Sequence, residues 1–317
     1  MMGKRAILLL ATVMVLAGVA WPASAMTMRS DRPQQASLDL AARPEYASVG
    51  KIDETIGSST SFGSGTLIAP DWVLTAAHVA DDATAISFTI GGAKYAAAEW
   101  FVYPSWTGNL LAGYDVGLVK LAMPVAGVAP AVRYTGLEEF GAVGTMIGYG
   151  LTGTGRTGAI ALDGRKRGAQ NTVDTYSGTA ADTARILLVD FDNPANKRDS
   201  LYGSAAPLDM EGLIAPGDSG GGLFIGDGAA ARLIGVASYI RGYDGKNDSD
   251  YGDTAAFTRV SAFNSWIDET IQSYAGLTVT QESPLTDSAA ASTPEPASLA
   301  LLAFGLGALA ARKRLGG

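Results

Sequence analysis

Trp72-Val73-Leu74-Thr75-Ala76-Ala77-His78-Val79 decides how the rest of this sequence is read, because an apolar strand-like run delivers the only histidine in the chain. Any mechanism that needs an imidazole base near neutral pH must use His78. In isolation such a histidine also fits a surface or satisfied core position. The segments that follow change its weight.

Downstream, Tyr114-Asp115-Val116-Gly117-Leu118-Val119 sets an acid at the head of another apolar run. A buried carboxylate there needs a donor to offset its desolvation, and an imidazole N–H is one. Farther on, Gly217-Asp218-Ser219-Gly220-Gly221 places a hydroxyl among glycines, where a substrate backbone can approach closely. Consecutive N–H groups around such a serine can converge on one point, so Gly217 and Ser219 are the candidate oxyanion donors. Each segment alone also reads as an ordinary turn or strand edge.

Together, in this chain order, the three segments resemble the chymotrypsin and trypsin family of serine proteases. The resemblance runs from about Val49 to Ile271 and takes in Gly63-Ser64-Gly65-Thr66-Leu67-Ile68, Ser238-Tyr239 and Phe257-Thr258-Arg259-Val260. It implies an all-β body of two antiparallel six-stranded barrels, over about 45–135 and 136–260, with a helix over 261–275 and a cleft between the barrels. It also implies a peptidase in which Ser219 attacks the scissile carbonyl, His78 carries the proton and Asp115 orients the imidazole. Ser238 would stand beside Asp115 and offer its backbone to the substrate strand. Leu213 would take the pocket floor, six residues before the nucleophile, with Tyr239 and Ile240 on one wall and Ala255 on the other. Leucine cannot compensate a buried cation, so the expected pocket is short and apolar, preferring Ala, Val or Leu. A two-residue slip in alignment would bring Glu211 to the floor instead.

One departure concerns activation. The family's usual new N-terminus, which enters the body to pair with the acid before the nucleophile, has no Ile-Val-Gly-Gly-like sequence upstream of His78. Asp218 is therefore expected to have another partner.

The rest of the chain agrees with a β-rich exported protein. Forty glycines and 17% charged residues suit short strands joined by tight turns, and the runs Ala85–Ile90, Gly144–Tyr149, Arg185–Val189, Gly221–Ile225 and Leu233–Tyr239 repeat that pattern. A helix is expected over 261–275, with Ser261 as its cap and Phe263, Trp266, Ile267 and Ile271 at helical spacing. The net charge of −8 argues against nucleic acid as a partner. Zero cysteines exclude disulfides, thiol catalysis and thiolate metal sites, and no cofactor or catalytic-metal signature is present.

Both ends read as addresses rather than fold. Lys4-Arg5, an apolar stretch over 6–20 and Ala23-Ser24-Ala25 form a secretory signal peptide over 1–25, so that the mature chain begins near Met26. At the other end Thr293-Pro294-Glu295-Pro296, an apolar stretch over 297–311 and Arg312-Lys313-Arg314 resemble the PEP-CTERM sorting signal, over 293–317. That resemblance implies an exosortase as processing partner and the envelope, matrix or exterior of a Gram-negative bacterium as destination. A helix over 297–311 spans only about 22 Å, which suits transient rather than permanent membrane association. Residues 26–44 and 277–292 are polar and irregular, and are expected to be a leader and a linker.

Two further patterns weigh little. Gly153-Thr154-Gly155-Arg156-Thr157-Gly158 fits G-x-G-x-x-G but lacks a βαβ setting and is read as a surface loop. Asp244, Asp248, Asp250 and Asp253 fail the calcium-loop spacing and are read as solvated acids. The functional alternatives to an exported serine endopeptidase are an inactive protease-fold matrix or adhesion protein and an esterase using the same triad.

Overall fold

The computed structural model describes residues 26–177 and 183–281. The expected signal peptide at 1–25, most of the expected linker and the expected sorting signal at 293–317 lie outside them. The chain divides into two compact units, Met1–Gln272 and Ser273–Gly317, and the architecture below is that of the first.

In chain order the strands and helices begin with β1 (Met26–Met28) and α1 (Gln34–Ala41). Then come β2 (Val49–Ile56), β3 (Ser59–Ala69), β4 (Trp72–Thr75), α2 (Ala77–Ala80), β5 (Ala85–Ile90), β6 (Ala93–Val102) and β7 (Gly117–Leu121). These six strands close into a barrel in the order β2-β3-β4-β7-β6-β5. The alternation of the sequence explains it: Ile52, Leu67, Val73, Phe88, Val119 and Leu121 are all fully buried, as inward positions of a small barrel must be. β4 pairs with β7 with Thr75 opposite Gly117. That register sets the end of the His78 strand beside the start of the Asp115 strand.

The second half comprises β8 (Val143–Gly148), β9 (Thr152–Thr154), β10 (Gly158–Ala161), β11 (Arg167–Thr172), β12 (Thr175–Ser177), β13 (Ile186–Asp190), β14 (Gly212–Leu213), β15 (Gly222–Ile225), β16 (Arg232–Arg241) and β17 (Thr254–Arg259), followed by α3 (Asn264–Gln281). It departs from the expected six strands. A seven-stranded sheet runs β11-β8-β15-β16-β17-β13-β12, because β12 takes the free edge of β13. Closure is by a side chain instead of a ladder: the Asn171 amide on β11 donates to Asp190 O at 2.6 Å and Gly212 O at 3.0 Å.

Residues 26–44 are not an irregular leader. Met26 and Met28 are fully buried, and β1 pairs in parallel with β9 and antiparallel with β14. Their core partners include Val173, Phe191, Leu213 and Phe257. The Gly153–Gly158 segment, expected as a surface loop, is the β9–β10 hairpin that completes this four-stranded sheet. Three-residue strands carry no readable period.

The closing helix starts later than expected. Residues Val260–Phe263 form a 3-10 turn and α3 follows, so Ser261 is not its cap; its Oγ donates instead to Glu139 Oε1 at 3.3 Å. Phe263 and Ile267 are buried as the spacing predicts. Among the described residues no helix is long and apolar enough to cross a membrane.

Candidate active site

His78 stands in the single turn of α2, directly after β4, and its backbone N–H donates to Asp115 Oδ1 at 2.9 Å. Its Nδ1 lies 2.8 Å from Asp115 Oδ2. The backbone contact fixes the turn and the ring contact fixes the imidazole, leaving Nε2 as the atom available for proton transfer. Asp115 is fully buried. Its Oδ2 also accepts from Ser238 Oγ at 2.5 Å, and its backbone carbonyl accepts from Thr258 Oγ1 at 2.8 Å. Strands of the second half thus complete the hydrogen bonding of an acid that belongs to the first.

The Ser219 loop is seated on β3 and on the end of β4, the strand that leads to His78. Ser64 N–H donates to Ser219 O at 2.7 Å, and a side chain on Gly220, at φ +82°, would fall 2.1 Å from Thr75 Oγ1 and 2.2 Å from Ser64 O. Only glycine permits that approach. Within the loop the N–H groups of Asp218, Gly220 and Gly221 are taken by Ala215 O, Ala237 O and Asp218 O. Those of Gly217 and Ser219, the two expected oxyanion donors, make no hydrogen bond with a described residue. Gly217 holds φ +94°, a backbone conformation that favours glycine.

Asp218 does have other partners. It is fully buried, accepts from Gly150 N at 2.7 Å and Ala215 N at 2.8 Å, and burial pushes its carboxyl up to about 7 against the pull of those N–H groups and of the Arg167 charge. β1 lies nearby in register: Met26, its first residue, is opposite Thr152, two residues after Gly150.

Of the expected pocket residues, Leu213 lies on β14, a strand the sequence did not show, Tyr239 and Ile240 on β16 and Ala255 on β17. Ile240 and Ala255 are direct partners across β16 and β17. Leu213 and Ala255 are covered, whereas Tyr239 and Ile240 remain half-buried. Leu213 pairs with Thr27 and packs with Met26 and Met28 in the core of the second half. Glu211, the alternative floor acid, is buried and committed to the N–H groups of Asp192 and Leu208. Burial lifts its carboxyl to about 8.

Two features escaped the sequence. Glu54, inward on β2, is buried with Oε2 lacking a hydrogen-bond partner among the described residues. Burial raises its carboxyl against a Ser61 hydrogen bond and the charge of His78; in sequence it is one acid of a strand rich in them. The acidic loop also differs from its reading. Asp253 is fully buried and accepts from Tyr243 N and Ser249 N, each at 2.9 Å, while ligand atoms of Asp244, Asp248 and Asp250 come within 4.8 Å of one another.

The comparisons with known proteins agree with this geometry. The Trypsin family model matches residues 48–267, and the PEP-CTERM protein-sorting motif matches residues 292–314. Chymotrypsin-like elastase family member 1 of Macaca fascicularis is 29% identical over 264 residues, covering 77% of this chain and 87% of that protein. The human chymotrypsin-like elastase family member 3A is 28% identical, covering 76% and 85%. Among solved structures, that of HL collagenase superposes with a TM-score of 0.53 at 19% identity, over 73% of this chain and 96% of its own.

Proposed function

Because the chain belongs to the trypsin family and ends in a PEP-CTERM sorting motif, we propose that it is an exported serine endopeptidase acting through Ser219, His78 and Asp115. The observation that carries this reading is the division of labour around the loop: Asp115 and its partners lock the imidazole, while only the Gly217 and Ser219 N–H groups are left uncommitted. Ser219 Oγ attacks the substrate carbonyl as His78 Nε2 accepts its proton. The two free N–H groups take the oxyanion, and the imidazolium returns the proton to the leaving amine before water repeats the cycle.

The pairing of Ile240 with Ala255 supports a narrow apolar slot for the residue before the cut, and the chain's relatives carry the name elastase. Cleavage after Ala, Val or Leu follows, with discrimination among them of only about 10- to 200-fold per methylene. The matrix-protein and esterase alternatives have no observation in their favour. Fluorophosphonate labelling of the purified chain, lost in Ser219→Ala, tests the reading. A folded wild type that neither labels nor cuts peptides would leave the matrix-protein alternative.

Export supplies the activation step in this reading. Cleavage after Ala25 frees the amine of Met26 at the start of β1, on the path toward Gly150 and Asp218. A cation there would compensate the buried Asp218 carboxylate and hold the loop. The Met26-Thr27-Met28 strand then serves where the family has Ile-Val-Gly-Gly. At the far end, an exosortase cuts near Pro294-Glu295-Pro296 after the 297–311 stretch has held the chain briefly at the membrane of a Gram-negative cell.

A further inference from the structure

The strand that carries Ser238 changes character along its length. β16 is paired with β17 as far as Arg241 and Thr254. On its other side β15 pairs only with Arg232 to Val236, and Ala237 closes onto Gly220 and Gly221. From Ser238 to Arg241 that side is an open sheet edge, able to take an extended peptide as one more strand. At about 3.3 Å per residue, Arg241 lies roughly 10 Å beyond Ser238 along this edge.

The edge ends in a recess of about 280 Å³ lined by Leu201, Tyr202, Arg241, Gly242, Tyr243 and Thr254. The Arg241 guanidinium makes no hydrogen bond or ion pair with a described residue, although its charge acts on the half-buried Tyr239 hydroxyl. Nearby acids do not quench it. Asp244 is bound by the N–H and Nζ of Lys246, Asp253 by the N–H groups of Tyr243 and Ser249, and Lys246 is the cation that acts on Asp250. Exposed, uncompensated and flanked by two tyrosines, Arg241 offers a fork of donors to a planar anion.

We propose that Arg241 selects polypeptides carrying Asp or Glu three or four residues before the cut bond, with that side chain seated in the recess between Tyr202 and Tyr243. This rests on the peptidase reading above, with the substrate running antiparallel along Ser238 to Arg241. Arg241 is a specificity residue and takes no part in bond breaking. A short apolar residue at the cut and an acid upstream then define the substrate class jointly.

Peptides identical except for Glu, Gln or Lys at those upstream positions test this with the processed full chain. The expected order of kcat/KM is Glu, Gln, Lys, with about three- to tenfold between the extremes at low salt and less as ionic strength rises. Arg241→Glu should invert the order and Arg241→Gln should flatten it. Each is read as a ratio within one variant, so a change in overall activity does not blur the result. Cleavage by the wild type without charge preference, or an unchanged order in Arg241→Glu, overturns the proposal while leaving the peptidase reading in place. A wild type that neither cuts nor takes up a fluorophosphonate overturns both.

Discussion

The two halves of the molecule are built from similar strands but held shut in different ways. The first barrel closes by continuous backbone ladders, and its fully buried Asp115 is satisfied on both oxygens. In the second half the sheet is completed by an asparagine side chain and a strand from the beginning of the described chain. It also buries Asp174, Asp190, Asp192, Glu211 and Asp218, whose recorded hydrogen-bond donors are backbone N–H groups and a Ser200 hydroxyl. His78 and Asp115 therefore sit on a barrel closed by its own ladders, with Ser238 and Thr258 of the second half completing the acid's hydrogen bonds, while Ser219 sits on a half assembled from distant parts. The barrel's closure is set by pairing between strands close in sequence, and the Ser219 loop leans on segments remote from it, the Met26–Met28 strand among them.

The largest effect should show that the halves act as one unit. Ser219→Ala and His78→Ala should each lower kcat by about 10⁴ to 10⁶, and the double variant should lose no more than either alone. Additive losses in a single-turnover assay would mean that the two residues do not share a step.

Core truncation should separate scaffold from site. Met28→Ala in the second half and Ile52→Ala in the first should each cost about 2–5 kcal/mol in urea unfolding. Only the first should also slow hydrolysis under conditions where the protein stays folded, since β1 pairs with the strand leading into the Ser219 loop. Equal slowing by both would dissolve the distinction.

A smaller loss is expected when the start of β1 is altered. Chains processed to leave one or more residues ahead of Met26 should show kcat/KM reduced at least about tenfold, equivalent to ~1.4 kcal/mol, with unfolding little changed. Full activity from an extended chain, verified by intact mass, would separate Asp218 from the amine.

The last effect is a slope. Burial holds the Asp174 and Glu211 carboxyls up to about 8 and that of Asp192 to about 6, so between pH 4 and 8 the folded chain keeps protons that the unfolded chain releases. Unfolding free energy therefore falls as pH rises through this window, by on the order of 1–3 kcal/mol. Glu211→Gln should flatten the slope. Rising stability from pH 5 to 8 would contradict this account.

Much of the arrangement was legible in the sequence because its signals are local. The strand runs before His78 and after Asp115 are short continuous apolar stretches, and the glycines around Ser219 announce a tight loop. The closing helix shows its spacing at Phe263 and Ile267. What was hidden depends on pairing over long separations. Met26-Thr27-Met28 looks like a polar leader until Leu213, far downstream, is placed beside Thr27. Gly153 to Gly158 looks like a loop until β1 lies alongside it. The burial of Asp253 cannot be read from a run of acids whose neighbours remain at the surface. Uncommitted N–H groups at Gly217 and Ser219 are likewise invisible until every neighbouring donor is accounted for.

The seam at Asn171 carries a consequence for how this protein grows old. Its single amide faces two carbonyl oxygens, one from β13 and one from β14. Slow hydrolysis of that amide, the ordinary chemical ageing of asparagine, would replace a double donor with an anion that can only accept. Attraction across the seam would become repulsion, leaving the Gln170 N–H bond to Met210 O, at 2.8 Å, to hold β11 to the segment before β14. Burial inside a strand keeps water from the group. Storage life is thus tied to how often β11 lifts away from its neighbours, and damage there would loosen the nucleophile's half while the barrel bearing the base stayed intact.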